Sequence, residues 1–179
     1  MVQGCIAGKR LMQKQLYDQY VKKMMAVCLR YSRTSFEAED IMQEAFMKVF
    51  ENIQNFKGQC PLEFWIRRIM VNTALKHHRK MMHVSSSAAE NDKVENIPED
   101  EIVFSSYAYE ELLTMIQSLA PRYQLIFNLY AIEGYAHKEI AAMLEISEGT
   151  SKSQYSRARA ILKNMLERHE ATYNERVIR

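Results

Sequence analysis

The stretch GYAHKEIAAMLEISEGTSKSQYSRARAILKNML, residues 134–166, decides the fold class. Ile140, Ala141 and Leu144 mark a short amphipathic helix, a tight turn follows, and a longer helix starts after Ser147, whose hydroxyl can cap it by accepting a backbone N–H bond. This is the shape of a helix-turn-helix, in which the first residues of the second helix enter the major groove and the first helix braces it. Small Ala141 permits close contact where the helices cross. Lys152, Ser153, Ser156 and Arg157, at offsets of one, four and five, share one exposed face and are the candidate base readers, with Arg159 further along the same helix. Thr150 and Ser151 are placed to give hydroxyl or backbone N–H contacts to phosphate, which position without specifying. The plain alternative is a basic, solvated helix that keeps a bundle soluble. Two residues depart from the usual motif. Glu145 stands where such turns favour glycine, at a cost of about 1 kcal/mol for left-handed backbone. Ser151 stands where a packing residue is usual.

Outward from this motif, glycine and proline are scarce and apolar residues recur at spacings of three and four, as in Ile41, Ala45, Val49 and Ile53, so the chain reads helical throughout. Helices are expected near 9–31, 36–54, 61–82, 105–118, 121–133, 137–144 and 148–168. Pro61 and Pro121 suit first helical positions and Gly134 a left-handed terminus. Between them VSSSAAENDKVENIPEDE, residues 84–101, is too poor in large apolar groups to offset its ordering entropy and reads as a flexible linker. The expected architecture is all-α: two small helical domains, 9–83 and 102–170, joined by that linker.

With 179 residues, 47% hydrophobic and 26% charged, the composition is that of a globular chain. Its apolar stretches are interrupted by charge well short of the roughly 20 residues that span a bilayer. The start, MVQGCIAGKR, lacks an apolar core of secretory length, so a cytoplasmic location is expected. Cys5, Cys28 and Cys60 are isolated and odd in number, which suits buried or incidental thiols rather than disulfides or zinc. No nucleophile-and-base set, glycine-rich phosphate loop or metal cluster stands out, so no catalytic residue, metal or cofactor is expected.

A net charge of +2 hides a strong asymmetry. Residues 37–51 carry Glu37, Glu39, Asp40, Glu44 and Glu51 against Lys48, whereas residues 67–80 carry Arg67, Arg68, Lys76, Arg79 and Lys80 without an acid. Separate acidic and basic surfaces suit separate partners. On the acidic helix Met42, Phe46, Val49, Phe50 and Ile53 face inward. The helix from Pro61 adds Phe64, Trp65 and Asn72 to its cations. Cations attract phosphate, aromatic rings stack on unpaired bases and asparagine hydrogen-bonds a base edge, a set suited to separated strands. For Trp65 both core packing and base stacking stand, core being commoner for a lone tryptophan on an amphipathic helix; Phe64 and Ile69 read as core. His77, His78 and His83 read as pH-dependent charge beside the basic patch, without the acids or thiols of a metal site.

DIMQEAFMKVFENIQNF (40–56) and FKGQCPLEFWIRRIMVNTALKHHRK (56–80) resemble the second conserved region of sigma factors, and residues 112–162 resemble their fourth. Because only these two regions are present, the chain is identified as a member of the extracytoplasmic-function group. The resemblance implies a factor that binds core RNA polymerase and directs promoter-specific initiation, with strand opening by the second region. It implies docking of Asp40, Gln43 and Glu44, supported by Phe46, on the clamp helices of the largest polymerase subunit, and contact of the fourth region with the flap. It implies a pocket for a minus-ten base made by Asn72 and the loop Phe56, Lys57 and Gly58, with Arg68, Lys76 and Arg79 on the backbone. The minus-thirty-five element would fall to Thr150, Lys152, Ser153, Ser156, Arg157 and Arg159. The linker would thread toward the polymerase active site, and an anti-sigma factor is a further partner the family often has. A stand-alone helix-turn-helix regulator with a palindromic site is the alternative, against which the basic aromatic helix argues.

Overall fold

The computed structural model describes residues 1–84 and 109–177, with side chains through residue 79 in the first stretch and residue 169 in the second. Every regular element among them is helical. The linker expected at 84–101 lies, from residue 85 on, outside the described residues, as do residues 105–108 of the helix expected at 105–118. The chain divides into two compact units, 1–88 and 89–179.

The first unit holds α1 (Val2–Ile6), α2 (Arg10–Tyr31), α3 (Ser35–Asn52), a 3-10 turn (Ile53–Asn55) and α4 (Leu62–Val84). Thr34 starts α3 by accepting from Glu37 N at 3.1 Å, while the Glu37 carboxylate accepts from Arg33 N at 2.9 Å. Helices α2, α3 and α4 pack on one another. Leu16, Met24 and Tyr31 of α2, Ile41, Ala45 and Val49 of α3 and Ile66, Met70 and Ala74 of α4 are all buried. Met42, Phe46, Val49 and Ile53 are buried as expected, while Phe50 is only half-buried. Pro61 precedes α4 rather than opening it: its carbonyl accepts from Phe64 N at 3.0 Å. Helix α1 was not anticipated, because five residues with two glycines nearby carry no periodic signal.

The second unit holds α5 (Tyr109–Ser118), α6 (Pro121–Phe127), a π-turn (Asn128–Ile132), α7 (His137–Leu144) and α8 (Glu148–Val177). Pro121 takes a first-turn position in α6. The π-turn ends the helix expected to run to 133, and Gly134, at φ 78°, turns the chain toward α7. Ile116, Leu119, Phe127, Ala158 and Leu162 form the core under α8. No described helix is long and apolar enough to cross a membrane.

Candidate nucleic-acid interfaces

In the first unit, one cleft of about 440 Å³ opens between the end of α3, the 3-10 turn and α4, lined by Lys48, Asn52, Asn55, Trp65, Arg68, Ile69, Asn72 and Thr73. Its volume lies in the range of small-ligand pockets. Local bonds hold its walls. Lys48 Nζ donates to Thr73 Oγ1 at 3.1 Å, joining α3 to α4, and the Asn52 amide donates to the Lys48 carbonyl at 2.9 Å. Trp65 is half-buried, with the Phe56 ring at 5.6 Å and 56° behind it. The indole thus belongs partly to the packing and partly to the cleft, which joins the two readings of this residue. Amides that can bond a base edge, an indole that can stack and two cations converge on one space.

Of the residues expected to form this pocket, Asn72 lines it and Phe56 supports it; Trp65, read as core or base-stacking, and Arg68, expected on the backbone, line it as well. Lys57 and Gly58 are exposed and are not among its walls; Gly58 has φ 71°, so the loop turns left-handed there. Lys48, Asn52 and Asn55 were missed. Polar residues at helical spacing on a face that otherwise reads apolar were the available signal.

Phe64, Arg68, Asn72, Lys76 and Arg79 form the exposed stripe of α4. Phe64 is 61% exposed, which corrects its assignment to the core: position 64 falls one residue before the inward-turning 65–66 pair, at the head of the basic stripe. Ile69 is likewise only half-buried, at the cleft wall.

Glu44 ties the acidic and basic faces together. Its carboxylate takes Lys48 Nζ at 2.7 Å and His77 Nε2 at 2.7 Å, with Lys76 Nζ at 4.0 Å. The Lys48 bond, then the His77 bond, hold its carboxyl down at about 2. Glu44 is therefore less available than the open docking residue expected from sequence. Asp40 and Gln43 remain exposed, and the same stripe of α3 carries Phe36, 72% exposed, and Met47, 63% exposed. These two apolar anchors were missed because they sit outside the inward apolar pattern. His78 corrects its sequence reading as well. It is buried, donates to the Tyr31 carbonyl, and burial lowers its pKa, so it is a neutral link between α4 and the end of α2 rather than surface charge. The side chain of His83 lies outside those described.

In the second unit, α7 and α8 meet at the expected turn. The Glu139 carboxylate accepts from Ala136 N at 2.8 Å to start α7. Glu145 adopts φ 57°, ψ 42°, the glycine-favouring geometry foreseen for it. Ser147 Oγ accepts from Thr150 N at 3.0 Å and bonds Thr150 Oγ1 at 2.8 Å, capping α8. Lys152 is exposed and pairs with Glu148 at 2.7 Å, one turn earlier. Ser153 donates to the Thr150 carbonyl at 3.1 Å; Ser156, Arg157 and Arg159 are half-buried, with the Arg159 guanidinium 5.9 Å from the Tyr155 ring centre.

Ser151 corrects its assignment to phosphate. It is fully buried, and its hydroxyl is bonded to His137 Nδ1 at 2.9 Å. His137 stacks on Tyr130 at 4.1 Å and 11°, and burial, then Lys152, lower its pKa. A neutral imidazole thus supplies the partner that lets a serine occupy a packing position.

Residues 16–82 match the family model for sigma-70 region 2, and residues 109–162 that for sigma-70 region 4. The chain is 29% identical over 161 residues to the ECF RNA polymerase sigma factor SigE of Mycolicibacterium smegmatis, covering 88% of this chain and 62% of that protein's length. It is 27% identical over 165 residues to the ECF RNA polymerase sigma-E factor of Escherichia coli K12, covering 85% of each. Among solved structures, the sigma factor RpoE from Bartonella quintana, crystallised with the anti-sigma factor NepR, shares the fold with a TM-score of 0.54 and 23% identity over 86% of this chain and 96% of that one.

Proposed function

This chain belongs to the sigma-70 family, in its extracytoplasmic-function group, and from that premise we propose that it binds core RNA polymerase, opens a minus-ten element with its first unit and reads a minus-thirty-five element with its second. The observation that carries this division of labour is the convergence of Asn52, Asn55, Asn72, Trp65 and Arg68 on one cleft, which suits an unstacked base. Stacking on the indole and amide bonds to the base edge offset the few kcal/mol needed to unstack it. Lys76 and Arg79 hold the backbone, while Phe64, exposed at the head of the same stripe, offers a second ring to the separated strand.

In the second unit Lys152, Ser153, Ser156, Arg157 and Arg159 read or flank bases in the major groove, and Thr150 contacts phosphate near the capped end of α8. Asp40 and Gln43, framed by Phe36 and Met47 and backed by Glu44, dock on the clamp helices of the largest subunit; the second unit contacts the flap. Exposed apolar side chains beside carboxylates fit a partner that supplies both a basic and an apolar surface. An anti-sigma factor, the class of partner named for the Bartonella protein, would cover these same faces.

A gel shift separates this role from that of a stand-alone regulator. The purified chain is mixed with promoter-bearing DNA with and without core polymerase. A sequence-specific shift that needs core polymerase is expected; an equally specific shift by the chain alone on a palindromic site would sink the proposal.

A further inference from the structure

The match to sigma-70 region 2 begins at residue 16, yet the residues before it are built into the first unit. Gly4 lies so close to α2 that a Cβ there would stand 2.3 Å from Met12 Cγ and 3.0 Å from Met12 Cβ. Cys5 is buried. Gly8 N donates to Cys5 O at 3.0 Å and Lys9 N to Gly4 O at 2.9 Å, turning the chain from α1 into α2. A five-residue helix has no stability of its own, so α1 exists because of this docking.

Helix α1 packs on the 3-10 turn Ile53–Asn55 as well as on α2. A single 3-10 turn is weakly constrained from within, so neighbouring packing sets where it sits. Its last residue, Asn55, lines the cleft. Phe56 N donates back to Ile53 O at 3.1 Å, and the Phe56 ring lies behind Trp65. One short helix therefore bears on the segment that places both an amide of the cleft and the ring supporting its indole.

We propose that α1 is a positioning element for the minus-ten cleft: docked through Gly4 and Cys5, it fixes the Ile53–Phe56 segment and thereby the base preference of the cleft. This rests on the promoter-opening role given above, and the experiment separates the two. Full-length wild type, Gly4→Leu and Gly4→Leu/Met12→Ala are each assembled with core polymerase. Opening is followed by permanganate reactivity of unpaired thymines, on a matched promoter and on one substituted in the minus-ten element. Undocking of α1 is read independently from maleimide labelling of Cys5, with exposed Cys60 as the internal standard.

Leucine is a better helix former than glycine, so any harm comes from the collision with Met12 rather than from propensity. Gly4→Leu is expected to expose Cys5 and to lower discrimination between the two promoters about tenfold, within what one read base pair contributes. Core affinity and the response to minus-thirty-five substitutions stay as in wild type, and Met12→Ala, which makes room, restores discrimination. Cys5 exposed with discrimination unchanged overturns the proposal. So does a parallel loss of core affinity that Met12→Ala does not rescue, since that is a general loss of stability. Should Gly4→Leu fail to fold, Gly4→Ala meets the same Met12 atoms and is judged by the same readings. Failure of the wild-type chain to open any promoter would instead contradict the promoter-opening role itself.

Discussion

In the first unit Trp65, Arg68 and Asn72 meet at a cleft walled by three pieces of chain, whereas in the second unit the candidate DNA contacts run along α8 alone. A base taken out of a stack must be met on its face and its edge, which a single helix does not offer. An intact duplex presents its base edges in the major groove, which one well-placed helix can enter. The polar links between helices can be set side by side as well. In the first unit half-buried Lys48, Glu44 and His77 tie α3 to α4, and buried His78 ties α4 to the end of α2. In the second, a neutral pair, His137 and Ser151, sets how α8 leaves α7.

The largest expected effect tests the cleft. Trp65→Ala should weaken promoter opening by about 1–3 kcal/mol, the worth of one base on an aromatic ring. A pre-opened bubble template that bypasses unpairing should recover part of it, and equal loss on both templates would move Trp65 back into the core. Lys152→Ala should cost about 1–2 kcal/mol in binding and relax preference at one minus-thirty-five position, at the lower end for a base reader because Glu148 already engages the ammonium. Promoter-library sequencing checks this, and an unchanged preference would reduce Lys152 to a phosphate contact.

Much of this was legible beforehand, for identifiable reasons. The turn geometry at Glu145 and the Ser147 cap follow from local chemistry, and the structure has both. The helix order follows from apolar spacing. Phe64, Ser151 and His78 were misread because composition marks an aromatic as core, a hydroxyl as surface and a histidine as charge. Which way each turns depends on its neighbours: the phase of α4, the imidazole of His137 and the Tyr31 carbonyl. Asn52 and Asn55 showed only as polar residues at helical spacing, which gains meaning once α3 ends beside α4 and the cleft exists.

The bracing is read in stability rather than in DNA binding. Ser151→Ala should lower unfolding stability by about 1–3 kcal/mol, because His137 loses its partner in a buried place; adding His137→Leu should recover much of it, since an apolar pair leaves nothing unsatisfied. Thermal unfolding of the single and double variants checks the reversal. The pH dependence follows with its sign fixed. His78 and His137 lie below the ordinary value of 6.5 in the fold, so below that pH the unfolded chain binds more protons and stability falls. Each histidine contributes a slope of at most about 1.4 kcal/mol per pH unit. Glu44 adds a loss only in stronger acid, between its ordinary 4.5 and about 2. Urea titrations from pH 7.5 to 5 would show the first decline, and a flat profile would contradict two histidines held neutral in the fold. Smallest is Phe64→Ala, which should change unfolding stability by less than about 0.5 kcal/mol where a core phenylalanine would cost 3–5.

The central claim, that two units read two spaced promoter elements on behalf of polymerase, is tested most directly by transcription from fragmented genomic DNA of the source organism. Core polymerase with this chain is used, and the 5′ ends of the transcripts are sequenced. New starts sharing two spaced elements are predicted, with the upstream element blurred by Lys152→Ala and the downstream one by Asn72→Ala. Starts identical to those of core polymerase alone, from a chain shown to be folded and bound to it, would contradict the account.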